Sequence, residues 1–105
     1  MNPTGRNWID EFGGLWDVPA TLEVAVLAKG FEDTSWHNDV CPSFRKKVLH
    51  GEWIVYSDNP NPHDRECGAE KRFALVFEPA DAEQKVVFES DSVSDLLIAI
   101  EKEIA

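Results

Sequence analysis

The chain is poor in cysteine and in positive charge. Its 105 residues include two Cys and one Met, and ten Lys or Arg stand against twenty Asp or Glu. A net charge of −10 argues against direct phosphate binding to nucleic acid, which needs clustered cations. The one basic run, Arg45-Lys46-Lys47, falls in a stretch (45–72) where six basic residues meet five acidic ones. Residues 78–105 carry eight acids and two bases. An acidic surface is expected, which serves solubility and suits a basic partner.

Long apolar runs are also missing: none approaches the roughly 18 residues a membrane helix needs. The opening MNPTGRNWIDEF lacks the charged-then-apolar order of a signal peptide. The expectation is a cytoplasmic protein with no membrane contact, whose cysteines are free thiols or ligands rather than a disulfide. Gly13-Gly14 has neither a preceding strand nor a lysine, so it is not a phosphate-cradling loop.

Aromatic residues are plentiful. Four Trp, six Phe and one Tyr are a heavy load for this length, and large rings bury much area each. One domain spanning 1–105 with a single core is expected.

Trp8, Ile9, Phe12, Leu15 and Trp16 share a helical face, interrupted by Gly13-Gly14. A short helical segment lying on the body of the domain is predicted. Within residues 18–29, Leu22, Val24 and Val26 alternate as in a strand, while Val18, Leu22, Ala25 and Val26 repeat as in a helix; the ends favour a helix, with Asp17 as N-cap, Pro19 in the first turn, Gly30 in the left-handed position after the last turn and Phe31 making the following apolar contact. Residues 44–50 and 52–57 flank Gly51 as a hairpin, with Trp53, Val55 and Ser57 on one face and Ile54 and Tyr56 on the other. NPNP at 59–62 ends that strand. Residues 72–79, with Phe73, Leu75 and Phe77 on one face, pair with 84–90. From Ser92 onward, Ser92 and Asp95 resemble a capping box, and Val93, Leu96, Leu97, Ile100 and Ile104 form a stripe that covers the sheet. The predicted fold is α+β: N-terminal helical segments, an antiparallel sheet of about four strands, and a covering C-terminal helix.

HNDVC at 37–41 and HDREC at 63–67 each place a His four residues ahead of a Cys. Zinc takes two thiolates and two imidazoles in a tetrahedral set, so His37, Cys41, His63 and Cys67 are the candidate ligands. Around the second pair Asn61 can cap, Pro62 suits a first helical position and Gly68 can end the turn. One helical turn would then put His63 and Cys67 on one side. Pro42 keeps Cys41 out of helical angles, so the first pair needs a loop. The spacing lies outside the recognised zinc signatures. A buried structural cysteine and a solvated histidine loop are the plain alternative.

The stretch 33–44 is too polar for a core strand. It carries Trp36, His37, Asn38 and Asp39, the candidate interaction residues, since loops mixing an aromatic with hydrogen-bonding groups line recognition surfaces. Its alternative is a structural connection whose Thr34, Ser35 and Asn38 satisfy the backbone through turns.

Three readings follow in order. The first is a small acidic interaction module of adaptor, inhibitor or immunity type, without cofactor or catalytic residues, which binds a basic protein partner with Trp8 and Trp16 as contact candidates. The second is a zinc-stabilised domain on the two His/Cys pairs. The third is a small enzyme using Cys41 or Cys67 with a nearby His, or His37 oriented by Asp39.

Overall fold

Alternation in residues 51–57 builds the centre of the sheet. The computed structural model describes residues 7–65 and 70–104. In it five antiparallel strands follow one another in chain order: β1 (Glu32–Asp33), β2 (Ser43–Val48), β3 (Gly51–Ser57), β4 (Phe73–Pro79) and β5 (Lys85–Ser90). This is one strand more than expected. The extra one, β1, is a two-residue polar pair with no room for an alternating pattern. The β2–β3 hairpin closes with Val48 opposite Gly51. Position 51 requires glycine, because a Cβ there would run into the carbonyl oxygen of Glu78.

Register places Phe44, Val55, Leu75 and Phe88 in one row across β2 to β5. The first three are fully buried, with Phe73 beside them. Each such side chain contributes about 1.5–3 kcal/mol by leaving water. The helices lie on this face. α2 (Ala20–Ala28) buries Leu22 and Val26, and α3 (Val93–Glu103) buries Leu96, Ala99 and Ile100. Trp8, Val18 and Phe31 complete the core. α3 packs against β4, β5 and α2, as its stripe predicts.

The helix ends follow local chemistry with one exception. Gly30 (φ 92°) lies just past α2, and the amides of Gly30 and Phe31 donate to the carbonyls of Leu27 (3.1 Å) and Val26 (3.0 Å). This pair of bonds is the glycine-terminated helix stop. Ser92 Oγ accepts from the Asp95 amide at 3.2 Å, but the reciprocal bond is replaced: the Ser92 amide goes to Ser90 Oγ at 3.0 Å. The exception is the start of α2. Its cap position is Pro19, not Asp17, because Asp17 closes the preceding turn.

The opposite face carries none of the described helices, yet Ile54 and Val76 are buried there. They sit side by side in register, between Arg45 and Val86. Arg45 Nη1 reaches Glu78 (3.4 Å) and Glu52 (3.9 Å), and Gln84 Nε2 joins Glu78 (3.1 Å) to the Tyr56 hydroxyl (3.4 Å). Glu78 and Tyr56 stand on either side of the Ile54–Val76 row, so these bridges cross above it. Long polar side chains cover the apolar pair with their stems. Among the described residues no helix is long and apolar enough to cross a membrane.

Candidate interaction site

The sheet end that holds Ser43, Ser57 and Phe73 receives three irregular segments, described over residues 7–17, over 34–42, and over 58–65 with 70–72. The Ser57 amide donates to the Pro42 carbonyl at 3.1 Å, which sets the second beside the third. The N-terminal segment is fastened through Asp33, a buried carboxylate. Its Oδ2 accepts from the Trp8 amide at 2.9 Å and its Oδ1 from the Ser35 amide at 3.0 Å. Trp8 Nε1 also donates to Glu23 on α2 at 3.3 Å.

The helical segment expected from Trp8 to Trp16 is broken in two. α1 (Trp8–Phe12) is capped by Asn7, whose Oδ1 accepts from the Asp10 amide at 3.0 Å. It ends at Gly13 (φ 87°), and a 3-10 turn over Gly14–Trp16 follows. Trp8 is buried and Phe12 and Trp16 are half-buried, but Ile9 and Leu15 point outward, Leu15 at 88% exposure. The break at the two glycines puts Leu15 on a separate turn that faces away from the body, while Ile9 lies on the outer side of α1 beside buried Trp8. Asp17 then takes the left-handed conformation (φ 47°, ψ 52°), which side chains other than glycine enter at a cost.

Arg72 holds that conformation. Its Nη2 donates to the carbonyls of Asp17 (2.6 Å) and Trp16 (3.1 Å), and its Nε to the carbonyl of Asp58 (3.1 Å). Its guanidinium lies 4.9 Å from the centre of the Phe73 ring. Burial pushes its pKa below the ordinary value, Asp17 pulls it back up, Arg65 lowers it again, and Asp58 opposes. The third segment is a run of side-chain turns. Asn59 Oδ1 accepts from the Asn61 amide (2.9 Å), Asn61 Oδ1 from the His63 amide (3.0 Å), and Arg65 Nε donates to the Asn59 carbonyl (2.8 Å). Asn and Asp favour such turns because a short polar side chain can bond the backbone two residues on.

A groove of about 750 Å³ opens between these segments. Phe12, Leu15 and Trp16 form one wall; Asn59, Pro60, Asn61 and Asp64 form the other. The Phe12 and Trp16 rings meet edge to face, 5.1 Å between centres and 68° between planes. Such a groove can take an apolar side chain against the rings and a cation beside Asp64.

The residues singled out from sequence are placed as follows. Trp36 and Asp39 close a turn (Asp39 amide to Trp36 carbonyl, 2.8 Å), and Trp36, His37, Asn38 and Asp39 are all exposed. The Trp36 and His37 rings lie 4.2 Å apart. His37 is turned to α1: its Nδ1 is 2.9 Å from Glu11 Oε1, and its amide donates to the same oxygen at 3.1 Å. Thr34 and Ser35 bond Ser43 across the start of β2, nine and eight residues away, rather than through the local turns expected of Thr34, Ser35 and Asn38. Cys41 is buried. His63 is exposed, in a 3-10 turn (Pro62–Asp64) capped by Asn61. Cys67 and Gly68 lie outside the described residues, and with them the expectation that Cys67 shares a side with His63. Among the described residues no three His, Cys, Asp or Glu side chains are grouped closely enough to hold a metal.

Sequence reasoning missed Glu11, Leu15 and Arg72. Glu11 lies 26 residues from His37 and carries no local signal. The paired glycines before Leu15 were the available clue. Comparison with family models, curated proteins and solved structures gives no significant match for this chain.

Proposed function

We propose that the chain is a non-catalytic interaction module, of adaptor or inhibitor type, which takes a basic protein segment in the groove between Phe12–Leu15–Trp16 and residues 59–64. The observation that supports this most is Leu15, 88% exposed on a turn held in an unfavourable conformation by Arg72. A large apolar side chain displayed this way fits a contact residue, and the surrounding carboxylates favour a cationic neighbour.

A tryptophan-fluorescence titration with short Lys/Arg-rich peptides carrying one central Leu tests it. Saturable binding that weakens with salt and is lost in Leu15→Asp supports the module. Binding unchanged by Leu15→Asp and by Asp64→Lys overturns it.

A zinc-stabilised domain on His37, Cys41, His63 and Cys67 is the second reading. It is supported by one observation: residues 34–42, with His37 and Cys41, and the described residues 58–65, with His63, leave the same sheet end. One equivalent of zinc in the purified protein, lost on Cys67→Ser, supports it. A metal-free protein whose thermal unfolding is unmoved by a chelator overturns it.

A further inference from the structure

The walls of the Phe12–Trp16 groove are uneven in their hydrogen-bonding groups. Asn59 is only 8% exposed and lines the groove. Its Oδ1 accepts from the Asn61 amide at 2.9 Å. Only the oxygen of a carboxamide can accept from an N–H, so this bond fixes which way the group is turned. The two hydrogens of Nδ2 have no partner among the described residues. Ser57 Oγ is the one side-chain polar atom there that is both sealed from water and unpaired, so Nδ2 is open to the space that Asn59 lines. Asn61 repeats the arrangement: the His63 amide takes its Oδ1 at 3.0 Å, and its Nδ2 is left over. Trp16 Nε1, on the facing wall, has no acceptor either.

Acceptors on the same walls are already engaged. The Asn59 carbonyl accepts from Arg65 Nε (2.8 Å), the Asn61 carbonyl from the Asp64 amide (3.0 Å), and the Trp16 carbonyl from Arg72 Nη2 (3.1 Å). The result is a surplus of donors beside two aromatic rings, with the Asp64 carboxylate at the margin. Asp64 has no ion-pair partner among the described residues. A fitting ligand brings acceptors without donors, an apolar body for the rings, and a cation. An ordinary extended strand brings one N–H for every carbonyl, and those N–H groups would be stranded against such walls. A helix has its carbonyls bonded internally. Proline carries a carbonyl and no N–H, and a polyproline II segment makes no internal hydrogen bonds.

Resting on the interaction-module reading above, we infer that the segment taken by this groove is proline-rich, in the polyproline II conformation, and flanked by Lys or Arg. Asn59 and Asn61 donate to its carbonyls, its proline rings lie against Phe12 and Trp16, and Asp64 meets the cation. Asn59 is then the residue that separates a proline-rich segment from any other basic one. Its turn toward the groove is set by its own backbone bond, so the donor is in place before the ligand arrives. The ligand is equally prepared, because a proline-rich chain is extended in solution and loses little freedom on docking.

Calorimetric titration of the full chain with a matched pair of short peptides tests this. One carries Pro-Pro-Leu-Pro-Pro next to Arg; the other has alanine for every proline, with the leucine and the charge unchanged. The proline peptide is expected to bind about tenfold tighter or more. Asn59→Asp keeps the oxygen that closes the turn and replaces Nδ2 with a second oxygen. Added negative charge alone would strengthen binding of a basic peptide, so a fall reports the lost donor. This variant is expected to bring the two affinities to near equality, with circular dichroism checking that the fold is kept. Asn61→Asp, at an exposed position, is expected to lower the proline preference severalfold, and is decisive should Asn59→Asp disturb the spectrum. Equal affinities in the parent chain overturn the inference, as does a preference that survives in a folded Asn59→Asp or in Asn61→Asp. The Lys/Arg-rich peptides with one central Leu keep the two claims apart. If they bind and proline gives no advantage, the module stands and this inference falls; if neither set binds, both fall.

Discussion

Where the helices cover the sheet, buried contacts are almost wholly apolar: Phe44, Val55 and Leu75 below, Leu22, Val26, Leu96 and Ile100 above. At the sheet end bearing the groove, the buried residues include Asp33, Ser35, Ser43, Ser57, Asp58, Asn59 and Arg65. Apolar packing tolerates small shifts, because it has no preferred direction. Hydrogen bonds do not, because each needs a donor and an acceptor at a fixed distance and angle. The first region supplies stability; the second supplies position. The second kind of fastening holds Leu15 and the Phe12–Trp16 rings in one arrangement, as the proposed contact surface requires.

Substitutions can break this contrast. Phe44→Ala removes a fully buried ring from the centre of the apolar region and is expected to cost about 3–5 kcal/mol. Urea unfolding should show the whole transition moving to lower denaturant. Asp33→Ala strips two amides, those of Trp8 and Ser35, of their acceptor, and is expected to cost about 2–3 kcal/mol for the stranded groups. Hydrogen exchange should rise first at residues 8–12 and 34–36, ahead of β3 and β4.

Arg72→Met keeps the stem and loses the three carbonyl contacts. Because the guanidinium is partly solvated, the expected cost is about 1–2 kcal/mol. The telling readout is local: Trp16 fluorescence shifts while the Phe44–Leu75 core keeps its protection. Equal loss of protection in both regions would show the two to be one cooperative unit.

Ser57→Ala sharpens the contrast from the other side. Ser57 Oγ is buried without a hydrogen-bond partner among the described residues. Removing it is expected to raise stability by up to about 1 kcal/mol, measured as a higher denaturation midpoint. The smallest effect is expected at Leu15→Ser, within about 0.5 kcal/mol of the parent, since the side chain touches little. Any binding to the groove should fall with it, which separates display from stability.

The sheet and α3 were legible because their signals are periodic and local. Trp53, Val55 and Ser57 face Phe77, Leu75 and Phe73 across β3 and β4, as two-residue alternation predicts. The helix over residues 20–28 was legible from its end: Gly30 and Phe31 mark the stop, whereas the apolar pattern alone fitted a strand equally well. The loop end was legible only in outline. The stretches 33–44 and, as far as it is described, 61–65 reach one end of the sheet, but what fixes this end lies far off in sequence: Asp33 to Trp8, Glu11 to His37, Arg72 to Asp17. Such contacts leave no periodic trace. Composition offered no guide to Ile54 and Val76 either, whose cover is a set of salt bridges over a face that would otherwise be wet.

The strand order has a consequence for how the molecule comes into being. Since every strand pairs with its neighbour along the chain, each hairpin can close over a short span, and little entropy is spent bringing distant partners together. During synthesis the sheet can grow one strand at a time. Its greasy side over β4 and β5 stays bare until α3, which follows β5 in the chain, folds down on it. That interval, rather than the finished fold, is when this chain is most open to sticking to its neighbours.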